Sequence, residues 1–335
     1  MADLGIRYLG LELRSPLIAS SSPLTGSIDT LRALEAHGIG AVVLPSLFEE
    51  DVESELAEVG RFAHAGCGTA EVHGGYLPER MMDSGHTDRY LDLVREASAT
   101  LSVPVIGSLN GISDTGWSDV ARLVEAAGAA AIELNLYDLP LDLSETGPEV
   151  EDRVLALVRH VRSAVSLPIA VKVGPYYSAF GAMARAITAA GADGLVLFNR
   201  LYQPDIDVVR PGLRHDLTLS HRHEMRLPLL WLSTLRGRLD GCLAGSTGVE
   251  TPDDVVRYLL AGADAVMTAS ALLRHGPQFA SELVAGLESW LEARNFGSVG
   301  EACGLLASRR GAAAGYGRAT YRSELHSYRS PTRDP

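Results

Sequence analysis

Apolar residues fall along this chain in eight short runs, and a stretch of helical periodicity follows most of them. The runs are Leu17-Ile18-Ala19, Ala41-Val42-Val43-Leu44, Val103-Pro104-Val105-Ile106, Ala131-Ile132-Glu133-Leu134, Ile169-Ala170-Val171, Gly194-Leu195-Val196-Leu197, the weaker Gly241-Cys242-Leu243-Ala244, and Ala265-Val266-Met267. Amphipathic segments such as 119–127 and 252–261 lie between them. Strands alternating with helices imply right-handed βαβ crossovers and a parallel sheet. Eight such units in one domain-sized chain predict an α/β fold, a closed (β/α)8 TIM barrel spanning 1–308. Residues 309–335 read as a basic, partly helical C-terminal tail. Two irregular stretches, 49–88 and 200–225, each follow a strand and are rich in Gly or Pro. They are expected to be loop excursions over the C-terminal face, where barrels of this kind carry their chemistry.

Side chains alternate along a strand, so one parity faces the helices and the other the barrel axis. With Val171 and Val173 turned outward, Lys172 points inward. With Ile132, Leu134 and Leu136 outward, Glu133 and Asn135 point inward on the neighbouring strand. A buried lysine without a partner would lose its charge, so a Lys172–Glu133 pair is expected. It reads either as a structural ion pair or as a cation kept dry for an electron-rich ligand. The ends of strands three, four and six each carry an asparagine: Asn110, Asn135 and Asn199. Their amides both donate and accept, which suits an imide, amide or carboxylate. Strands seven and eight end in Gly245-Ser246-Thr247-Gly248 and Thr268-Ala269-Ser270. Small residues there let backbone N–H groups approach a phosphate, the recurrent anion position of this fold.

Composition narrows the classes. A formal net charge of −13 disfavours nucleic acid as a partner. Three cysteines, Cys67, Cys242 and Cys303, give no disulfide framework and too few thiolates for an iron–sulfur cluster. The histidines at 215, 221 and 223 show no zinc-site spacing, so no metal is expected. The chain opens without a signal-peptide pattern, and no apolar run approaches a membrane span. The expectation is a cytoplasmic protein with a small-molecule substrate and no membrane partner.

Several segments resemble the dihydroorotate dehydrogenase family, most closely its divergent bacterial branch. They are Ser15-Pro16-Leu17-Ile18-Ala19-Ser20-Ser21-Ser22-Pro23, Gly107-Ser108-Leu109-Asn110-Gly111, Ile132-Glu133-Leu134-Asn135-Leu136-Tyr137 and Val171-Lys172-Val173. The stretch from Asp193 through Phe198-Asn199-Arg200-Leu201-Tyr202-Gln203-Pro204 to Asp207, and that from Ala261 to Leu273, extend the resemblance to the last strand. The resemblance implies a flavoprotein holding FMN across the barrel mouth. It assigns Ala19, Ser20, Asn110, Asn135, Lys172, Thr247, Gly248, Ala269 and Ser270 to the flavin, and Asn135 and Asn199 to substrate. It also implies hydride transfer from a CH–CH bond to flavin, proton removal by a loop residue, a homodimer and a separate electron acceptor. The loop base of orthodox members, Cys or Ser, aligns with Asp138, and Tyr137 is the other candidate proton carrier.

The chain departs from the orthodox pattern in defined places. Pro45 stands where a lysine is expected, Pro140 where the loop has asparagine, and Thr247 where the phosphate loop has the first of two glycines. The Gly-Gly-x-Ser-Gly element after strand six is absent from 215–223, and 71–79 shows no substrate asparagine. These departures support an alternative, a flavin-deficient non-catalytic or regulatory relative. A third reading makes Lys172 a Schiff-base nucleophile.

Overall fold

All eight apolar runs form strands, and the strands close on themselves. The computed structural model describes residues 2–55, 85–112, 117–307 and 317–327. A hairpin of β1 (Ile6–Tyr8) and β2 (Leu11–Leu13) precedes the barrel. The barrel strands are β3 (Leu17–Ala19), β4 (Ala41–Phe48), β5 (Val105–Asn110), β6 (Ala131–Leu136), β7 (Ile169–Val173), β8 (Gly194–Leu197), β11 (Cys242–Gly245) and β12 (Ala265–Thr268). They pair in parallel in that order, with β12 returning to β3, as expected for a (β/α)8 TIM barrel. Between β8 and β11 a small antiparallel hairpin, β9 (Asp205–Asp207) with β10 (Gly212–Arg214), stands out from the barrel.

The alternation of side chains divides the interior into two cores. Ile132, Leu134, Val171, Val173, Leu195 and Leu197 face the helices, whereas Ile18, Val43, Ile106, Ala170, Val196 and Met267 fill the barrel. Tyr8 and Leu9 from the leading hairpin join the inner set, and Leu9 N–H donates to Cys242 Sγ at 3.3 Å. Cys242 begins β11, so the hairpin closes the N-terminal end and leaves the C-terminal end for ligands. Close approach sets the start of β4, where a Cβ on Gly40 would lie 2.1 Å from the Ser15 carbonyl oxygen.

The helix Pro252–Ala261 shows how sequence places a loop. Thr251 N–H donates to Asp254 Oδ2 at 2.9 Å, proline occupies the first turn, and Gly262 ends the helix at φ 109°. Asp254 is fully buried and also receives Arg222 and Arg257 at 3.0 and 2.7 Å. The loop after β11 is thereby anchored at its far end.

The stretch expected to be irregular from 49 to 88 is helical at 49–55, and the helix His86–Thr100 begins within it. Cys67 and the 71–79 segment lie outside the described residues. In the tail, the helix Arg318–Ser327 has no buried residue. Among the described residues no helix is long and apolar enough to cross a membrane.

Candidate active site

The C-terminal ends of β3, β6, β7, β8, β11 and β12 converge on a cavity of about 260 Å³. An adjoining cavity of about 320 Å³ shares Phe198, Asn199 and Thr247 with it. Ser20, Asn135, Lys172, Asn199, Thr247, Gly248, Ala269 and Ser270, all named from the sequence, line the first. Strand register explains the grouping: Asn110, Asn135 and Lys172 are consecutive partners across β5, β6 and β7, so they share one inward layer. Glu133 and Ser108 share the layer below.

Lys172 is 7% exposed, and its Nζ lies 3.4 Å from Glu133 Oε1 and 3.4 Å from Ser20 Oγ. Glu133 is fully buried, and its Oε2 has no hydrogen-bond partner among the described residues. A single buried charge is strongly disfavoured, so each member of this pair requires the other.

The asparagines form a ladder. Asn199 Nδ2 donates to Asn135 Oδ1 at 2.6 Å, and Asn135 Nδ2 lies 3.5 Å from Ser46 Oγ. Ser46 Oγ is in turn 2.7 Å from Ser108 Oγ and 3.3 Å from Ser21 Oγ. Below it, the buried Tyr90 hydroxyl accepts Ser108 N–H and donates to Ser108 O, at 2.6 and 3.0 Å. Burial pushes the Tyr90 phenol well above its ordinary range, so it stays a donor. Ser46 and Tyr90 were not among the residues singled out by sequence. Ser46 turns inward because the β4–β5 register gains one residue between Val43 and Ser46, a bulge at Pro45. Proline has no N–H for the ladder, which suits it to that position.

At the other end of the cavity, Thr247 and Gly248 adopt φ 80° and φ 74°. Such angles are unfavourable for threonine. The turn keeps its shape because Thr247 Oγ1 donates to Phe198 O at 3.3 Å, and the Tyr258 hydroxyl donates to Ser246 O and Thr247 O at 2.6 and 2.7 Å. Thr247 thus holds a glycine-like conformation at the site of the missing glycine. A Tyr258→Phe protein, leaving two carbonyls short of a donor, should lose roughly 1–3 kcal/mol in denaturant unfolding. An unchanged midpoint would show that the turn holds without it. The helix Ser270–His275 is only six residues long, so the anion position there depends on local N–H and hydroxyl donors. Thr268 Oγ1, buried in the cavity wall, has no partner among the described residues. An unused donor beside a glycine turn fits a ligand carrying an anionic tail.

Other expected residues stand differently. Ala19 is buried at the end of β3, and Ser20 N–H is committed to Thr268 O at 3.0 Å, leaving the Ser20 hydroxyl toward Lys172. Asp138 lies in a shallow groove with Leu141, Glu145 and Arg153, where Arg153 Nη2 binds its Oδ2 at 2.6 Å. Glu145 binds the same guanidinium, and its hydrogen bond, followed by that of Asp138, raises the Arg153 pKa above its ordinary value. The Tyr137 hydroxyl accepts Tyr202 N–H at 2.6 Å. Nearby Tyr177 is pushed up to about 12, by burial first and then by the charges of Asp138 and Glu151. The histidine-bearing loop is tied down: His221 Nδ1 lies 3.1 Å from Glu250, and Glu224 binds Arg200 at 2.8 Å.

Comparison with known proteins decides the family. A family model described as dihydroorotate dehydrogenase matches residues 82–291, more than half of the chain. The chain belongs to the dihydroorotate dehydrogenase family. Among its relatives, the catalytic subunit of a dihydroorotate dehydrogenase B (NAD(+)) from Methanothermobacter thermautotrophicus is 29% identical over 308 residues, covering 88% of this chain and 95% of that one. The corresponding subunit from Bacillus caldolyticus is 26% identical over 315 residues, covering 91% and 96%. A dihydroorotate dehydrogenase A (fumarate) from Lactobacillus delbrueckii subsp. bulgaricus is 26% identical over 284 residues, covering 81% and 88%. Membership of the dihydroorotate dehydrogenase family therefore extends along nearly the whole barrel.

Proposed function

We propose that this protein is an FMN-dependent oxidoreductase of the dihydroorotate dehydrogenase type, acting on a CH–CH bond in a small anionic or amide-bearing molecule. The observation that carries the reading is Lys172, a cation on the cavity floor, held by Glu133 at 3.4 Å beneath a wall of neutral amides and hydroxyls. When bound, FMN supplies the hydride acceptor. Lys172 places positive charge where negative charge develops during reduction. Asn135 and Asn199, bonded to each other, retain donor and acceptor capacity for substrate. Ser246, Thr247, Gly248, Ala269 and Ser270 hold the phosphate end, with the spare hydroxyl of Thr268.

Asp138 is our assignment for the base that takes the one proton released beside the hydride, with Tyr137 beside it. Arg153 holds the Asp138 carboxylate in the groove, away from the cavity. The assignment requires the 137–146 loop to bring Asp138 to the cavity mouth when substrate binds. An Asp138→Asn protein should reduce bound flavin ~10²–10⁴-fold more slowly with dihydroorotate in anaerobic stopped flow. A retained rate across neutral pH would make Asp138 a clamp for Arg153 and move the proton step elsewhere.

The family also supports a homodimer and a separate electron acceptor, and the relatives' names divide between fumarate and NAD(+). A second reading, a flavin-deficient relative, draws on the Asp138–Arg153 pair and on proline at the bulge of β4. FMN titration separates the two, since the second predicts no uptake.

A further inference from the structure

The leading hairpin sends Tyr8 into the barrel from the N-terminal end. Small inward residues of the strands receive it: Ala41, Ala131, Ala170, Ala244 and Ala265 pack in one cluster with Tyr8. Its neighbour Leu9 depends on the same economy of volume, since a Cβ on Gly194 would lie 2.8 Å from Leu9 Cδ2. The phenol ring thus fills space that larger strand residues would otherwise take. Its hydroxyl is not accounted for by packing. Tyr8 is fully buried, and its Oη has no hydrogen-bond partner among the described residues.

The acceptor that matches it lies one layer above. Glu133 follows Ala131 by two residues on the inward face of β6, and its register partner on β7 is Ala170. Both alanines belong to the cluster that holds Tyr8. Glu133 Oε1 meets Lys172 at 3.4 Å, while Oε2 has no partner among the described residues. A buried donor and a buried acceptor, each unpartnered, therefore share one barrel interior. Burial first, and then the Glu133 charge, push the Tyr8 phenol well above its ordinary range, so it keeps its proton to donate. Native interiors rarely leave such groups unused, and a water held by two or more polar atoms is a common bridge between them.

We propose that Tyr8 is a positioning residue for the Glu133–Lys172 pair, its hydroxyl reaching Glu133 Oε2 through one buried water. Donation on that side draws carboxylate charge away from Lys172, so more of the ammonium's field reaches the cavity. The consequence for flavin rests on the flavin reading above, whereas the hydrogen-bonded link does not.

Tyr8→Phe removes the hydroxyl and keeps the ring. A hydroxyl without a partner is lost at no cost or with a gain in stability, whereas loss of a donor to a buried carboxylate destabilises. The urea midpoint of Tyr8→Phe should therefore fall. It should fall less when the substitution is made in Glu133→Gln, because a bond to a neutral amide is weaker than one to a carboxylate. Loaded with FMN, Tyr8→Phe should show a flavin potential more negative than that of the unsubstituted protein, a readout that a purely structural role leaves alone. A crystal structure of the full chain should show a water within hydrogen-bond distance of both oxygens. A urea midpoint unchanged or raised in Tyr8→Phe, an equal loss in both backgrounds, an unshifted potential or an unbridged pair overturns the proposal. If Glu133→Gln does not fold, the single substitution and the potential still decide it. Failure of the unsubstituted protein to take up FMN overturns the flavin reading, and the urea midpoints then decide the link between Tyr8 and Glu133 by themselves.

Discussion

Lys172→Ala should slow reduction of bound flavin by substrate ~10²–10³-fold, the effect of deleting one preorganised electrostatic partner. The same change should shift the midpoint potential of the bound flavin to more negative values, since a nearby cation favours the reduced, anionic form. That readout needs no knowledge of the natural substrate. The loss has a stability component as well. Glu133 is fully buried and Lys172 is its only ionic partner among the described residues, so removing the ammonium leaves an uncompensated charge. The expected cost is roughly 3–5 kcal/mol in denaturant unfolding. A Lys172→Ala protein with full flavin occupancy, an unshifted potential and the original reduction rate would contradict the assignment.

Glu133→Gln tests the same pair from the other side. The carboxylate touches neither cavity wall nor solvent, so any effect on flavin must pass through Lys172. Without the carboxylate, Lys172 loses its buried ionic partner at 3.4 Å. Flavin reduction should slow, and stability should fall by roughly 3–5 kcal/mol, the cost of breaking a buried pair. An original reduction rate in a folded Glu133→Gln protein would remove Glu133 from the mechanism.

The barrel was legible because each buried strand writes its parity into a few residues. Ile169-Ala170-Val171-Lys172-Val173 is buried throughout, and the one polar residue could only face the axis. The same alternation located Glu133 and Asn135, and strand register then aligned Asn135 with Lys172. Where periodicity was interrupted, inference from sequence lost its footing. In β4 the bulge at Pro45 inverts the parity of everything after it, which turns Ser46 rather than Pro45 toward the cavity. Ser220, which lines the cavity, was hidden for another reason. Its position depends on arginines distant in sequence, Arg200 and Arg274, which pull an irregular segment onto the strand ends. No local pattern encodes such a tether. Asp138 illustrates the limit of positional correspondence, since Arg153 lies fifteen residues away on the next helix and captures its carboxylate.

The most direct test of the whole account is the visible absorption spectrum of the freshly purified protein, recorded before and after adding FMN and removing the excess. A bound-flavin spectrum, present at the outset or acquired on addition, is the predicted result. A colourless protein that takes up no FMN would contradict the account and leave Lys172 and Glu133 as a structural pair in a barrel without its cofactor.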